Sequence, residues 1–484
     1  MTEPVLPQAT SPTKVTSSRG YLHYAILCLG PCLLWLALQL SPVSDLSKPA
    51  CLTLGILAWM VLWWTFEVIP LAATSLLPLV LLPLTGVSDA TKAAAPYANP
   101  LIFLFFGGFV LSLAIEHVGL HRQLAQRALK LAGDSLRTQL AIIMGTTAFL
   151  SMWMSNTATA VMMLPIVIAL IKSQNEHQAM SPRAVAAMLL GIAYAANIGG
   201  IATLIGTAPN VLMAAFLKQN HGITISFVDW MLLAVPIAAI TLICAWLMLA
   251  RHLPKHSSCE AVAKSQHSPE PFTRSQRDVS LVFLCTVSAW IMQQPLSQWL
   301  GIKLTDANIA IIAAIVLFTL RDQSQRALLP WGATSQLPWG VLLLFGAGLS
   351  MAEQIQATGI AAYIADQVSH TSDLTPLVIL VLVTVIIIFL TEISSNTATA
   401  AAFLPLLGPV AVAMQLPAWF LVIPACLAAS YAFMLPIATP PNAIVFASGQ
   451  LTIRQMAKEG FWLNILGTGV ISIGVFYLAP LVFH

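Results

Sequence analysis

Apolar runs of about 20 residues, separated by short polar segments, make up most of this chain. A run of that length lets an α-helix cross the hydrocarbon core of a bilayer. In chain order we place such spans near residues 21–40, 51–66, 70–84, 100–118, 183–203, 228–249, 279–298, 305–320, 338–354, 418–436 and 460–482. The pattern predicts an all-α polytopic membrane protein with about eleven transmembrane helices.

Two further stretches are apolar but interrupted by a polar island. Residues 138–171 contain no charge, and residues 374–414 repeat the same pattern. Each stretch is too long for one span and fits the two half-length arms of a re-entrant hairpin. The segment 120–136 differs from both, because it carries three basic residues among leucines and alanines. We expect that segment to lie at the membrane interface.

The polar islands of the two hairpins are copies of one another. The motif Ser-Asn-Thr occurs at 155–157 and at 395–397, 240 positions apart, and a proline follows each copy at the same offset. A second pair of polar breaks, 206–210 and 438–442, is related by an offset of 232. Hydroxyls and amides inside lipid must find hydrogen-bond or ion partners. A duplicated polar break in membrane segments therefore points to a transporter binding site at the interface of two repeats.

The composition agrees with a membrane protein that has little mass outside the bilayer. The chain is 58% hydrophobic and 8% charged, against about 25% charged residues in a soluble protein. The net charge of +3 is spread over loops and gives no basic patch for nucleic acid. The seven cysteines contain no C-x-x-C pair. We find no H-E-x-x-H or G-x-S-x-G motif and expect no enzyme.

The distribution of lysine and arginine predicts the orientation. With a cytoplasmic N-terminus, all 21 Lys and Arg except Lys48, Lys92, Lys218 and Lys303 fall on cytoplasmic segments, as the positive-inside rule favours. The first hairpin then enters from the cytoplasm and the second from outside, so the two halves are inverted repeats. We expect a multi-pass protein of the cell inner (plasma) membrane.

Each island offers two kinds of binding group. A helix break frees backbone carbonyls from one half-helix and N–H groups from the next. The N–H end favours an anion, whereas free carbonyls with Ser and Asn oxygens suit Na⁺. Ser151 and Thr391 add a hydroxyl one helical turn before each motif. Carbonyls of the second pair of breaks, such as those of Gly206 and Ala438, would close two cation cages around one anion pocket.

Neither hairpin contains Lys or Arg. The charge of an anionic substrate must then be met by helix N-termini, hydroxyls, amides and co-bound cations. Cation binding becomes a precondition for anion binding, as coupled symport requires. The one acidic residue in either hairpin is Glu392. A proton site, support of a Na⁺ site and a packing role are all open to it; support ranks first, because Thr391 and Ser394 flank it.

These motifs resemble those of the divalent anion/sodium symporters, which transport dicarboxylates, citrate and, in some members, sulfate. The resemblance rests on the paired Ser-Asn-Thr motifs, the clusters 206–210 and 438–442, and the Trp-Trp-Thr-Phe-Glu-Val-Ile-Pro run at 63–70. It covers nearly the whole chain from about residue 50. The family is similar to elevator-type homodimers, in which a transport domain slides past a fixed scaffold, and the resemblance implies the same architecture here.

The resemblance also implies a set of site residues. One Na⁺ site would use Ser151, Ser155, Asn156 and Gly206. The other would use Thr391, Ser394, Asn396 and Ala438, with Ser394 acting mainly through its backbone carbonyl. The substrate carboxylates would meet six side chains, and two more residues would shape the pocket: Asn156, Thr157, Thr207, Ser395, Asn396 and Thr397, then Thr439 and Pro440.

Family exchangers that run without Na⁺ tend to lose the second motif, and this chain keeps both. We therefore expect Na⁺-coupled uptake of C4-dicarboxylates such as succinate, malate and fumarate, with two or more Na⁺ sites. Na⁺-independent exchange of a dicarboxylate, citrate or tartrate, and sulfate symport, are the alternatives. The expected partners are a small dianion, sodium ions, the lipid bilayer and a second copy of the chain, with no nucleic acid.

The expected division of the chain follows from the same resemblance. A cytoplasmic tail (1–20) precedes first-half scaffold helices (21–136) and first-half transport elements (137–227). Second-half scaffold helices (228–373) include a cytoplasmic linker at 251–278. Second-half transport elements (374–458) and a last transmembrane helix (459–484) complete the chain.

Overall fold

The computed structural model of the protein describes residues 17–41, 45–130, 135–177, 179–254, 271–323, 325–369 and 375–483. Within these ranges the chain is helical, with two short 3-10 segments and no β-strand. Residues 1–16 of the predicted tail and 255–270 of the predicted linker lie outside the described residues. The prediction of an all-α fold is confirmed.

We number the α-helices α1 to α22 in chain order. The first half contains α1 (Ser17–Leu40), α2 (Lys48–Phe66), α3 (Leu71–Thr74), α4 (Leu77–Leu84), α5 (Ala90–Ala94), α6 (Pro100–His117), α7 (Leu120–Leu129), α8 (Leu136–Ser151), α9 (Asn156–His177), α10 (Pro182–Gly200), α11 (Ala208–His221) and α12 (Phe227–Ala250). The second half contains α13 (Arg274–Ile291), α14 (Gln293–Leu300), α15 (Asp306–Thr319), α16 (Trp339–Ala357), α17 (Ile360–Ser369), α18 (Pro376–Thr391), α19 (Asn396–Ala413), α20 (Trp419–Ala429), α21 (Pro440–Phe446) and α22 (Ile453–Val482).

Eight helical segments of the described chain are long and apolar enough to cross a membrane, and the bent pair α13–α14 makes a ninth. Four shorter apolar segments, α3–α4, α15, α18 and α20, are not included in this count. The described chain is thus polytopic, and the predicted number of about eleven transmembrane helices stays a prediction. The bounds of α1, α2, α6, α12, α15 and α16 lie within a few residues of the predicted spans.

Two predicted spans are divided in the structure, and proline explains both divisions. The 70–84 span is two helices, α3 and α4. Pro78 lies in the first turn of α4, where its missing N–H and its ring prevent a continuous helix. The 279–298 span bends by 81° between α13 and α14. Pro295 has no N–H to bond the carbonyl of Ile291, so the ladder of α13 cannot continue.

Three predicted boundaries are wrong, and helix caps or a break explain the shifts. Helix α13 begins at Arg274, inside the predicted linker, behind a Thr273 capping box. The 418–436 span ends at Ala429, where the second polar break begins. The last helix begins at Ile453 rather than near 459 or 460, behind a second capping box that Thr452 forms.

The two halves of the chain share one pattern of packing. Both arms of the first hairpin, α8 and α9, pack against α10, and both arms of the second, α18 and α19, pack against α20. The half-helix after each break contacts the opposite hairpin, α11 against α19 and α21 against α9. The hairpin tips, 152–155 and 392–395, and the breaks, 201–207 and 430–439, therefore meet in the middle of the protein.

Small residues let these central helices approach closely. Every residue of 186–200 in α10 is buried, as is every residue of α20. A Cβ atom on Gly199 would lie 2.2 Å from the carbonyl oxygen of Ala148, so only glycine fits there. Packing of this kind is what holds helices together in lipid, where apolar burial gives little driving force.

Candidate substrate and cation site

A cavity of about 810 Å³ lies where the tips and the breaks meet. All the predicted site residues line it except Ser151 and Thr391, namely Ser155, Asn156, Thr157, Gly206, Thr207, Ser394, Ser395, Asn396, Thr397, Ala438, Thr439 and Pro440. The rest of the wall includes Phe105 and Phe109 of α6, Val341 of α16 and residues 65–67. The tertiary structure thus brings both Ser-Asn-Thr motifs and both breaks to one site.

Four helices begin at this cavity. Helices α9 and α19 start at Asn156 and Asn396, and α11 and α21 start at Ala208 and Pro440. The first turns of a helix carry unpaired N–H groups and the positive end of the macrodipole. Helix α21 has only seven residues, so its dipole is the weakest of the four. The cavity is therefore surrounded by groups that favour an anion.

The cavity has no cationic side chain. Among the described residues that line it, none is Lys, Arg or His, and Glu67 is the one ionisable residue. Glu67 ends α2 with a positive φ of 45° and is exposed at the wall of the cavity. An anion bound here must rely on helix N-termini, neutral donors and any cations that bind with it.

The two hydroxyls outside the cavity wall lie directly behind it, in matching positions. Ser151 Oγ lies 2.7 Å from Asn156 Oδ1 and 2.8 Å from the carbonyl oxygen of Ala196. Thr391 Oγ1 lies 2.8 Å from Asn396 Oδ1 and 2.8 Å from the carbonyl oxygen of Ala429. Both hydroxyl residues are fully buried. Each cluster holds three oxygens and one hydroxyl hydrogen, an excess of acceptors.

Some of the remaining predicted side chains form hydrogen bonds within the protein, and others do not. Ser155 Oγ accepts from the backbone N–H of Ala158 and caps α9. Ser394 Oγ donates to the Leu390 carbonyl and lies 2.6 Å from Thr399 Oγ1, so its side chain is occupied within its own hairpin. Among the predicted site residues, the hydroxyls without a protein partner in the described chain are those of Thr157, Thr207, Ser395 and Thr397, all of which line the cavity.

The asparagines of the second pair of breaks hold the backbone rather than face the cavity. Asn210 Nδ2 donates to the carbonyls of Gly200, Ile201 and Thr203 at 3.2, 3.3 and 2.7 Å. Asn442 Nδ2 donates to the carbonyls of Ala432 and Leu435 at 3.1 and 3.0 Å. Both residues are fully buried. The sequence indicated two helix breaks, and the structure shows that these amides satisfy the carbonyls those breaks release.

Gly206 lies beside the tip of the first hairpin, as the predicted cation cage requires. A Cβ atom there would be 2.4 Å from the Gly200 carbonyl oxygen and 3.1 Å from that of Met152. A Cβ atom on Gly200 would lie 2.5 Å from Asn156 Oδ1. Glycine at both positions therefore lets the break and the tip come into contact.

Asn197 is a site residue that the sequence reading did not single out. It lines the cavity from α10, and its Nδ2 donates to Thr439 Oγ1 at 3.1 Å and to the Ala432 carbonyl at 3.2 Å. These bonds join the first half of the chain to the break of the second half. The sequence did contain an indication of its role, because Asn197 is an amide in the middle of an apolar stretch without charged residues.

Glu392 lies beneath the second break and not in the cavity wall. Its Oε1 accepts from the backbone N–H groups of Phe433 and Met434 at 2.7 and 2.9 Å, and its Oε2 accepts from that of Leu435 at 3.1 Å. Asn464 Nδ2 of α22 donates to Oε1 at 2.8 Å. The carboxylate is almost fully buried, and these four donors hold it against the middle of the break.

A polar cavity in the middle of a many-spanning helical protein, built from two matching hairpins and two matching broken helices, defines a secondary transporter. Comparison with known proteins gives the family. The sodium:sulfate symporter transmembrane region matches residues 24–483, and the chain belongs to this family. It is a multi-pass membrane transporter and not an enzyme, and the resemblance to divalent anion/sodium symporters is confirmed.

Relatives and solved structures are similar along most of the chain. The sodium-dependent dicarboxylate transporter SdcS of Staphylococcus saprophyticus is 38% identical over 471 residues, which cover 94% of this chain and 91% of that protein. SdcS of Staphylococcus aureus strain USA300 is 37% identical with the same coverage. The YdaH transporter of Alcanivorax borkumensis is 12% identical with a TM-score of 0.57, covering 88% of this chain and 98% of that one. Neisseria gonorrhoeae MtrF is 13% identical with a TM-score of 0.54, covering 92% and 98%. These two structures support the fold alone.

Proposed function

We propose that this protein couples the inward movement of Na⁺ to the uptake of a C4-dicarboxylate such as succinate, malate or fumarate. The names of its relatives support this proposal, since both SdcS proteins are sodium-dependent dicarboxylate transporters. The cavity supports it as well, because four helix N-termini surround a space without cationic side chains.

The observation that carries the proposal is the pair of oxygen clusters behind the motifs. The hydroxyl oxygen of Ser151, like that of Thr391, lies within 2.8 Å of both an asparagine amide oxygen and a backbone carbonyl oxygen, and it has one hydrogen to share between them. A bound cation would supply the positive partner that such a cluster lacks, and hydroxyl, amide and carbonyl oxygens are suitable ligands for Na⁺. We assign one cation to Ser151, Ser155, Asn156 and Gly206, and the other to Thr391, Ser394, Asn396 and Ala438.

The substrate would lie between these two cations. We assign its carboxylates to Asn156, Thr157, Thr207, Ser395, Asn396 and Thr397, with Thr439 and Pro440 shaping the pocket. The free hydroxyls and the helix N-termini would donate hydrogen bonds, while the cations neutralise the charge. Without the cations, a dianion in this cavity would have no full positive charge near it and would meet the Glu67 carboxylate. Binding of Na⁺ therefore precedes binding of the dianion.

Uptake into proteoliposomes tests the proposal. Labelled succinate should accumulate with an inward Na⁺ gradient and not with an equal gradient of K⁺ or choline. Asn156→Ala and Asn396→Ala, each of which removes a group assigned to both a cation and the substrate, should take up no more than empty liposomes. Equal uptake with all three cations would exclude coupling to Na⁺.

Two alternatives can be separated from the main proposal. The matching family is described as sodium:sulfate symporters, so sulfate is a candidate substrate. Unlabelled sulfate should compete poorly with labelled succinate if the pocket is built for two carboxylates. Na⁺-independent exchange of dicarboxylate, citrate or tartrate would instead show uptake only into liposomes preloaded with a second anion.

We also propose the wider organisation that the family resemblance implies. Residues 137–227 and 374–458 would form a moving transport domain, and residues 21–136 and 228–373 a scaffold, in an elevator-type homodimer of the inner membrane with a cytoplasmic N-terminus. Light scattering of the purified protein tests the dimer. Protease access to an N-terminal tag in sealed vesicles tests the orientation.

A further inference from the structure

A second polar cavity, of about 680 Å³, lies away from the transport site. It is formed at one end of the molecule by the start of α10, the end of α12 and the start of α22, and it shares no lining residue with the central cavity. Its floor is apolar, with Ala186, Ala187, Leu190 and Leu249. Its rim is strongly basic.

The rim carries four Arg or Lys side chains, one histidine and a single carboxylate. Arg251 Nη2 lies 2.7 Å from Glu459 Oε2, and His252 Nε2 lies 3.1 Å from Glu459 Oε1. The carboxylate is therefore already paired. The other three cations, Arg183, Arg454 and Lys458, are exposed and have no ion-pair partner among the described residues.

The helices that meet here add to the positive field. Helix α10, of 19 residues, and helix α22, of 30 residues, both begin at this cavity, at Pro182 and Ile453. Their N-termini carry the positive ends of the helix dipoles. The C-terminus of α12 also ends here, and Arg251 and His252 follow it directly. The positive charges around the rim together favour the binding of an anion.

The order of residues along α22 shows what kind of anion fits. Arg454, Lys458, Trp462 and Leu466 follow one another at intervals of four, so they form one stripe along the helix. Trp462 is 53% exposed and Leu466 is 44% exposed. The stripe begins with basic side chains, continues with a tryptophan and ends with an exposed leucine. These side chains match, in the same order, the headgroups, the interface and the acyl chains of a bilayer.

The neighbouring surface is apolar and open beyond the tryptophan. Leu247 of α12 and Ile465 of α22 are 57% and 42% exposed. A soluble phosphate would use the basic rim alone, and this apolar surface would be left to the bulk lipid. A phospholipid would use both, because its headgroup and its chains meet at the depth of Trp462.

We propose that this cavity binds the headgroup of an anionic phospholipid from the surrounding leaflet, with the phosphate held by Arg183, Arg454 and Lys458 and the chains lying along α12 and α22. Basic pockets between membrane helices bind anionic lipid headgroups in this way. The site is distinct from the transport cavity and does not depend on the proposed substrate.

The test is lipid binding by the purified full-length protein in detergent, measured by native mass spectrometry during titration with phosphatidylglycerol. The double variant Arg454→Gln, Lys458→Gln should bind about 10- to 30-fold more weakly, since each basic residue near an anionic lipid contributes about 1 kcal/mol. Arg454→Lys with Lys458→Arg keeps the charge and should bind as the wild type does.

Matched controls separate this site from general surface charge. Lys172 and Arg277 are also exposed basic residues on helices and lie outside the cavity. Lys172→Gln with Arg277→Gln should leave phosphatidylglycerol binding unchanged. Phosphatidylcholine should bind at least tenfold more weakly than phosphatidylglycerol to the wild type, because it lacks net charge.

Three outcomes would overturn the proposal. The first is equal phosphatidylglycerol affinity in the wild type and the Arg454/Lys458 double variant. The second is equal binding of phosphatidylcholine. The third is displacement of bound phosphatidylglycerol by inorganic phosphate or glycerol phosphate at matched concentration, which would show that the chains contribute nothing and that the site takes a free phosphate.

Discussion

At the scale of single residues, the two hydroxyls behind the hairpin tips are the most informative groups. Ser151 and Thr391 belong to different halves of the chain, yet each lies within 2.8 Å of an asparagine amide oxygen and a backbone carbonyl. Neither lines the cavity wall. This geometry separates the proposed cation ligands from the proposed substrate ligands by a single helical turn.

Ser151→Ala and Thr391→Ala should therefore weaken Na⁺ binding more than substrate binding. Loss of one buried hydroxyl ligand costs about 1–3 kcal/mol, which is a change of roughly 5- to 150-fold in affinity. Na⁺ activation curves at fixed succinate, and succinate curves at saturating Na⁺, measure the two effects. Thr147→Ala and Thr384→Ala are matched controls, because these hydroxyls bond only carbonyls of their own helix. A variant with an unchanged Na⁺ curve and a collapsed succinate affinity would place its hydroxyl in the anion pocket.

Glu392→Gln should lower stability as well as transport. The carboxylate accepts four hydrogen bonds in a buried position, and an amide would turn an NH₂ group toward backbone donors. Leaving one or two buried N–H groups unpaired costs about 2–4 kcal/mol, which thermal unfolding in detergent would detect as a drop of several degrees. Glu353→Gln, at a less buried carboxylate, should unfold as the wild type does. Normal stability in Glu392→Gln with loss of Na⁺ activation alone would instead make Glu392 part of a cation site.

At the scale of secondary structure, function depends on where helices stop. The breaks after α10 and α20 release carbonyls into the centre of the protein, and Asn210 and Asn442 satisfy some of them in the same way. The remaining polar groups of each break are left to face the hairpin tips. Contact between tip and break is possible because glycine occupies positions 200 and 206.

Gly200→Ala should lower Na⁺ affinity and transport rate together. Its Cβ would come within 2.5 Å of Asn156 Oδ1, so the proposed cation and substrate ligand would have to move. Gly145→Ala is the matched control, since this glycine lies in α8 with no atom within 4 Å of its Cβ position. That variant should transport normally and gain up to about 1 kcal/mol of helix stability. Full transport by Gly200→Ala would argue that Asn156 is not a ligand.

At the scale of the whole molecule, the two cavities differ in the charge of the side chains that line them. The transport cavity has no cationic residue in its described wall, whereas basic residues gather at the end where α10 and α22 begin and α12 ends. An anion in the central cavity therefore meets no cationic side chain of the described wall, whereas the basic end of the protein offers several. Both conclusions need the tertiary structure, because the residues concerned are far apart in sequence.

The absence of fixed positive charge in the cavity predicts which ionic form is transported. A dianion matches the helix N-termini and two cations, whereas a third negative charge has no partner. Raising the pH from about 5.5 to about 7.5 should strengthen succinate transport and weaken any citrate transport, because deprotonation makes dianionic succinate commoner and dianionic citrate scarcer. Initial uptake rates across this range, with Na⁺ saturating, test the expectation. A rise in citrate transport with pH would contradict the charge argument.

The local sequence determined the fold class and much of the site. Apolar run lengths indicated a polytopic helical protein, and the duplicated Ser-Asn-Thr motifs and the paired breaks marked the residues that line the cavity. These features depend on short-range physics, namely the length of helix that crosses a bilayer and the cost of burying polar groups in lipid. Where prolines and capping boxes outweighed hydropathy, as at Pro78, Thr273 and Thr452, the predicted boundaries were wrong.

Only the tertiary structure decided which polar groups become partners. Asn197 bonds Thr439 across 242 positions, and Glu392 bonds Phe433 across 41. A sequence shows that such groups need partners but not which of many donors and acceptors lies within 3 Å. That choice is made when helices with small residues on their contact faces pack together. For the same reason, the basic cavity of Arg183, Arg454 and Lys458 is visible in the fold and absent from any single stretch of the chain.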